Sequence, residues 1–203
     1  MENLIAHRGL KNHAQENTLD AFQKSLNNEH YAGFECDVRT TKDNVFVICH
    51  NPIYKGKIIS LTPFKELDDG KLATLESVLS LKTSKIILLE IKEINCNIKH
   101  FSQILEKYSH QKIYVMSFYN FLIHELKHEI KNASIGVLNY VLNSEEDYKD
   151  YDFVCLLESI VTPKIINYFT GLHKEIFIYN IHHLEVISKK YKKSYFITDV
   201  VVE

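Results

Sequence analysis

Short apolar runs alternate with amphipathic stretches along most of this chain. Eight runs are rich in β-branched and aromatic residues and have the length of buried strands, and they cover residues 4–8, 33–39, 86–92, 113–118, 134–140, 152–158, 175–181 and 194–200. Between them, apolar residues recur at helical spacing over 18–28, 74–81, 97–108, 120–130, 163–169 and 183–191. A further run at 45–50 follows the polar turn at 42–44, which is typical of a hairpin partner of the second strand.

Eight strands interleaved with helices predict an α/β fold, a (β/α)₈ TIM barrel with one extra hairpin strand after strand 2. The chain has 203 residues, so we expect a single domain over 1–203 at the small end of that fold. The fifth unit is the weakest, because only residues 144–150 are available for its helix. An open, doubly wound sheet is the alternative, since its strands are equally apolar.

Composition narrows the class of protein. The 24 Lys and Arg residues against 26 Asp and Glu residues give a net charge of −2, which argues against a nucleic-acid partner. No run approaches the length of a membrane span, and the first residues do not resemble a secretory signal. The four cysteines form no CxxC motif, as expected for reduced thiols. We therefore expect a cytoplasmic protein without stable membrane insertion, and no signal indicates its oligomeric state.

Polar side chains lie at the ends of several of these buried strands. Side chains on a strand alternate between faces, so neighbours two apart point the same way. The residues concerned are His7 and Arg8 after the first strand, Glu35 and Asp37 on the second, His50 after the hairpin strand, and Glu90 and Lys92 on the third. In a barrel these carboxyl ends meet at one face, where active sites lie.

These residue types suit phosphodiester cleavage. Three carboxylates, Glu35, Asp37 and Glu90, form an all-oxygen ligand set for one divalent cation, Mg²⁺ or Ca²⁺. Two histidines, His7 and His50, are suited to proton transfer as an acid/base pair. Arg8 and Lys92 are suited to phosphate oxygens. Each feature alone is common in ordinary ion pairs, so the prediction depends on their convergence.

The same residues resemble the motifs of the glycerophosphodiester phosphodiesterase family. The matching segments are IAHRG at 5–9, ENTLDAF at 16–22, ECDVRTTKDNVFVICHN at 35–51 and LLEIK at 88–92, followed by SF at 117–118 and ITD at 197–199. The resemblance implies a TIM barrel and metal-dependent hydrolysis of a small-molecule glycerophosphodiester to glycerol 3-phosphate and an alcohol.

Carried over by position, the resemblance implies a role for each matching residue. It makes His7 and His50 the acid/base pair, Glu35, Asp37 and Glu90 the metal ligands, and Arg8 and Lys92 the phosphate contacts. It further implies that Glu16 and Asn17 brace the first loop, that Phe118 forms a wall for glycerol, and that Tyr179 offers its hydroxyl to substrate.

Some positions depart from the family pattern. Asn51 follows His50 where an Asp is usual, the insertion at 51–73 is short, and Tyr179-Asn180 stands where a Trp is usual. Two alternatives stay open. One is a lysophospholipid-directed phosphodiesterase or lyase that forms a cyclic phosphate, and the other is a catalytically silent barrel that binds a phosphorylated ligand.

One short motif points to different chemistry. The string HELKH at 124–128 fits the H-E-x-x-H signature of zinc proteases. It falls after the fourth barrel strand, on a helix expected to coat the exterior, without an evident third ligand. We therefore interpret it as a chance match to the protease signature.

Overall fold

Eight parallel strands close into a barrel in which each strand pairs with the next and the last pairs with the first. The computed structural model describes residues 3–11, 14–143 and 147–202. The barrel strands are β1 (Leu4–Ala6), β2 (Tyr31–Thr40), β6 (Ile86–Ile91), β7 (Lys112–Ser117), β8 (Ser134–Asn139), β9 (Phe153–Leu157), β10 (Glu175–Tyr179) and β11 (Tyr195–Thr198). The predicted (β/α)₈ barrel is confirmed, and the open sheet is wrong because β1 pairs with both β2 and β11.

Among the described residues, three short strands lie outside the barrel. They are β3 (Phe46–Ile48), β4 (Ile53–Tyr54) and β5 (Lys57–Ile58). Strand β3 runs antiparallel to the end of β2, with Val38 opposite Ile48, which confirms the predicted hairpin strand. Strands β4 and β5 form a small separate hairpin. A local apolar cluster holds this insertion against the barrel, and its buried members are Val47, Ile59, Leu67 and Leu72.

Helices cover the outside of the barrel. They are α1 (Leu19–Asn27), α2 (Phe64–Leu67), α3 (Leu75–Leu79), α4 (Ile98–Lys107), α5 (Asn120–Glu129), α6 (Pro163–Gly171) and α7 (Leu184–Lys190). Between β8 and β9 the described residues contain one 3₁₀ turn, Tyr148–Asp150, while 144–146 of the predicted fifth helical segment lie outside the described residues. In the described part of the chain, no helix combines the length and apolar character that crossing a membrane requires.

Two apolar layers follow from the alternation of side chains along each strand. One face packs against the helices, and the other fills the barrel interior. Aromatic rings fill the interior near the amino ends of the strands, where Phe177 contacts the rings of Tyr114, Phe153 and Tyr195 at centroid distances of 5.4, 5.1 and 4.8 Å. This packed interior supports the polar residues that lie above it.

Replacing Phe177 by Ala should lower the free energy of unfolding by about 3–5 kcal/mol, because it empties a fully buried ring position. Urea unfolding would measure the change. A matched control is Tyr168→Ala on α6, since the Tyr168 side chain is 55% exposed. The control should lose less than about 1 kcal/mol, and equal losses for the two variants would contradict this description of the interior.

Candidate active site

The loop after β1 has a backbone that its sequence is suited to form. Arg8 has φ = 57° and Gly9 has φ = 80°, so the chain turns sharply after His7. A Cβ atom on Gly9 would lie 2.8 Å from the Ala21 carbonyl carbon on α1, which leaves no room for a side chain. The backbone amide of Asn17 donates to the Arg8 carbonyl at 2.9 Å and closes the loop. The His7-Arg8-Gly9 segment is therefore fixed between β1 and α1.

Strand register brings the three predicted carboxylates together. Asp37 on β2 pairs directly with Glu90 on β6, and Glu35 lies one inward position earlier on β2. All three side chains are buried, with exposed fractions of 1%, 7% and 1% for Asp37, Glu90 and Glu35. One carboxylate oxygen from each residue lies within 4.8 Å of the other two. We call these three residues the carboxylate cluster.

Two cations and one amide contact the cluster. The Lys92 ammonium lies 2.5 Å from Glu90 Oε1 and 3.0 Å from Asp37 Oδ1. Arg8 Nε lies 3.1 Å from Asp37 Oδ2. The Asn17 amide donates to the same oxygen at 2.8 Å, and the backbone amide of Asp37 donates to Asn17 Oδ1 at 3.2 Å. Most of this positive charge is therefore directed at Asp37.

The pKa values within the cluster diverge as a result. Burial, together with the charges of Asp37 and Glu90, raises the pKa of Glu35 well above its usual range. Burial also raises the pKa of Glu90, and Lys92 offsets this only in part. For Asp37 burial acts in the same direction, but Lys92, the Asn17 hydrogen bond and Arg8 together outweigh it and lower the pKa.

The cluster fits a divalent cation on its own chemistry. Glu35 Oε2 accepts a hydrogen bond from the Arg8 backbone amide at 3.1 Å, but its buried Oε1 has no hydrogen-bond partner among the described residues. A buried carboxylate oxygen without a partner is costly unless a cation binds it. Three convergent carboxylates are the ligand type that Mg²⁺ and Ca²⁺ prefer. The cluster can therefore hold a metal ion.

His7 lies between this cluster and a fourth carboxylate. Its Nδ1 atom is 2.8 Å from Asp199 Oδ1, and its Nε2 atom is 4.0 Å from Glu35 Oε2. The Lys11 ammonium also contacts Asp199 Oδ1 at 2.6 Å. The hydrogen bond with His7 lowers the pKa of Asp199, so that carboxylate stays ionised. A carboxylate on Nδ1 fixes the ring orientation and leaves Nε2 directed toward the cluster.

His50 is held differently. Its Nδ1 atom lies 3.0 Å from Asn51 Oδ1, so a neutral amide stands where His7 has a carboxylate. Burial lowers the pKa of His50. Arg39 donates to the His50 carbonyl from Nε and Nη2 at 2.9 and 2.7 Å, and its Nη1 lies 2.6 Å from Glu93. This bridge ties the loop after β3 to the loop after β6.

Two cavities adjoin the site. One, of about 260 Å³, is lined by His7, Tyr179 and Asp199. The other, of about 180 Å³, is lined by Glu16, Asn17, His50 and residues of the insertion. The Phe118 ring packs edge-on against Tyr179 at 6.1 Å and is 40% exposed, so it lies at the rim next to the first cavity. The two histidines thus face two different cavities.

All the sequence-predicted site residues lie at this end of the barrel. A continuous set of contacts joins His7, Arg8, Glu16, Asn17, Glu35, Asp37, Glu90 and Lys92, with Arg8 bonded to Glu16 at 3.0 Å. His50 joins through the chain, because the backbone amide of Cys49 donates to the Asp37 carbonyl at 2.9 Å. Phe118 and Tyr179 form the aromatic side of the rim.

Sequence reasoning did not select Asp199, Lys11 or Arg39 as site residues. Asp199 carried a usable signal, because it directly follows β11 just as His7 follows β1. Lys11 and Arg39 carried none, since a lysine in a loop and an arginine on a strand are common in ordinary ion pairs.

Comparison with known families identifies the chain. Residues 7–193 match the glycerophosphoryl diester phosphodiesterase family. The chain belongs to this family. The match covers every residue of the carboxylate cluster and both histidines, but ends before Asp199.

Individual relatives agree with this assignment. The chain is 29% identical over 162 residues to a glycerophosphodiester phosphodiesterase of Caldanaerobacter subterraneus subsp. tengcongensis, and the match spans 66% of this chain and 65% of that protein. A putative glycerophosphodiester phosphodiesterase structure from Galdieria sulphuraria has a TM-score of 0.82 at 19% identity, covering 98% of this chain and 94% of the other. The structure of an Oleispira antarctica phosphodiesterase in complex with the product sn-glycerol-3-phosphate has a TM-score of 0.80 at 18% identity. It covers 97% of this chain and 92% of the other. These two structures share the fold.

In this family member, Glu35→Gln should raise stability when no metal is added. Because the pKa of Glu35 is raised on folding, its charge costs stability above the ordinary Glu pKa, and the neutral amide removes that cost. With EDTA at pH 7.5, we expect a gain of about 0.5–2 kcal/mol in the free energy of unfolding. The gain should shrink as the pH falls through the ordinary Glu pKa and disappear near pH 3, where the wild-type carboxyl is protonated in both states.

The matched control is Glu106→Gln on the exposed face of α4. Thermal and urea unfolding of both variants would measure the difference. A loss of stability in Glu35→Gln at pH 7.5, with no change in the control, would contradict the assigned electrostatics.

Proposed function

We propose that this protein is a metal-dependent glycerophosphodiester phosphodiesterase that releases sn-glycerol 3-phosphate and an alcohol from a small glycerophosphodiester. The observation that carries the proposal is the carboxylate cluster, in which a buried oxygen of Glu35 has no hydrogen-bond partner among the described residues. The cluster lies beside His7 and is joined by a backbone hydrogen bond to the loop that carries His50. Family membership and the product bound to the Oleispira relative support the same substrate class.

In the proposed mechanism, Glu35, Asp37 and Glu90 would hold one divalent cation, Mg²⁺ or Ca²⁺. When bound, such a cation neutralises charge on the phosphoryl oxygens. Arg8 and Lys92 add positive charge beside it, because an ammonium has three N–H donors and a guanidinium five, and the described contacts do not use all of them.

We assign His7 and His50 the two proton transfers. One imidazole removes the proton of the attacking hydroxyl, and the other protonates the oxygen of the departing alcohol. Their location at two different cavities supports a division of labour between the two sides of the phosphate. Asp199 keeps His7 oriented, while Glu16 and Asn17 hold Arg8 and Asp37 in place. Phe118 and Tyr179 form the wall for the glycerol portion.

The direct test is release of sn-glycerol 3-phosphate from glycerophosphocholine with added Mg²⁺ or Ca²⁺. We expect activity that EDTA abolishes and that either metal restores. His7→Ala and His50→Ala should each lower kcat by about 10²–10⁴-fold, the usual contribution of an acid/base group. His110→Ala, at an exposed turn after α4, is the matched control and should keep full activity. Activity that survives both catalytic substitutions, or EDTA, would refute the proposal.

A second candidate substrate is a lysophospholipid. The observation that favours it is a set of exposed apolar side chains in the insertion, in loops after the barrel strands and at the start of α5. Their exposed fractions lie between 40% and 67%, and they are Ile53, Ile58, Leu61, Ile94, Phe118, Phe121, Tyr140, Val141 and Val200. An acyl chain could lie along such a rim. Comparing kcat/KM for lysophosphatidylcholine and glycerophosphocholine decides between the two, and a cyclic phosphate product would identify lyase chemistry.

Asp199→Asn should lower kcat by about 10–100-fold with little change in KM, because a neutral amide no longer fixes the tautomer of His7 or stabilises its protonated form. Asp199→Glu should restore part of the lost kcat. Asp20→Asn on α1 is the matched control, since Asp20 contacts only Lys24 among the described ion pairs. Steady-state kinetics at saturating metal would measure these values, and an unchanged kcat in Asp199→Asn would refute the positioning role.

A further inference from the structure

Two histidines on the outer face of α5 form a pair that the proposed function does not use. His124 and His128 are four residues apart, which places them on one face of the helix, and both are exposed. The opposite face of α5 is anchored in the core by Leu122, Ile123 and Leu126. Packing of these buried residues against the core therefore holds the helix backbone that carries both imidazoles.

The two rings converge on a single point. The Nε2 atoms lie 3.3 Å apart, with the ring planes nearly perpendicular at 85°. A tetrahedral zinc ion binds imidazole nitrogens at about 2.0–2.1 Å, so two such nitrogens lie about 3.3–3.4 Å from each other. At this distance one ring can donate a hydrogen bond to the other, and the same spacing is the one that a single metal ion requires.

We propose that His124 and His128 form a two-histidine binding site for a divalent transition-metal ion such as Zn²⁺. Water completes the coordination, because the carboxylate cluster is the single group of three or more converging metal-ligand side chains found in the described part of the chain. The pair therefore lacks the third ligand of a zinc protease, and the site binds metal without the protease chemistry that its H-E-x-x-H sequence would indicate.

Ligand chemistry separates this site from the carboxylate cluster. Imidazole favours zinc, nickel and copper, whereas Mg²⁺ and Ca²⁺ prefer oxygen ligands. Excess Mg²⁺ therefore competes for the cluster and leaves the histidine pair free. Both Nε2 atoms already lie at the bound spacing, so little reorganisation of the helix opposes binding.

The test is calorimetric titration of Zn²⁺ into the untagged protein at pH 7.5 in excess Mg²⁺. Variants His124→Ala, His128→Ala and the double variant are compared with His182→Ala/His183→Ala. The last variant is a matched control, because it removes two exposed histidines that are adjacent in sequence and so do not share a helix face.

We expect one Zn²⁺ bound by the wild type and by the control variant with equal affinity. Each single substitution on α5 should weaken that affinity at least about tenfold, because the second bond of the chelate is lost. The double variant should lose the site, while circular dichroism shows an unchanged fold. Wild-type binding no tighter than that of the double variant, or equal loss in the control variant, would overturn the proposal.

Discussion

Three buried carboxylates held side by side are the constraint on which this end of the molecule depends. Their mutual repulsion and loss of hydration oppose folding unless cations lie among them. Lys92 and Arg8 supply two positive charges against three negative ones, and both are directed mainly at Asp37 and Glu90. Glu35 is left with a raised pKa and an oxygen without a partner. A divalent cation would resolve that imbalance, which is why we propose the metal site there.

The barrel supplies the geometry that makes this arrangement possible. The parallel register of β2 and β6 sets Asp37 against Glu90, and aromatic rings fill the barrel interior below them. The sharp turn at Arg8 and Gly9 brings the first loop back over β2, so its backbone amide reaches Glu35. The loops after β1 and β11, from opposite ends of the chain, then meet through the hydrogen bond between His7 and Asp199. Burial of the charged cluster costs folding free energy, and burial of the apolar layers beneath it offsets that cost.

Much of this could be predicted from the sequence. Period-two alternation fixed which side of β2 carries Glu35 and Asp37, and polar residues at the ends of apolar runs located the site, because parallel strands end together. Asp199 lay in the matching ITD segment but was not selected as a site residue, because its contact with His7 depends on the barrel closing between β11 and β1. The insertion was also beyond prediction, since its fold depends on a small cluster around Val47 and Ile59 rather than on periodicity.

For the His124–His128 pair, the sequence suggested a function that the fold does not support. Its sequence fits a protease motif, but α5 lies on the exterior and no third ligand converges on the two histidines among the described residues, which argues against protease chemistry. Short motifs state which side chains are near one another along the chain. They do not state what else the fold brings to them.

The central claim is that Glu35, Asp37 and Glu90 share one divalent cation. Anomalous diffraction from crystals grown with Mn²⁺ in place of Mg²⁺ tests it most directly. We predict one strong peak within bonding distance of an oxygen from each carboxylate, and its disappearance in Glu35→Gln. A cluster without such a peak at saturating Mn²⁺, in crystals of active protein, would contradict the account.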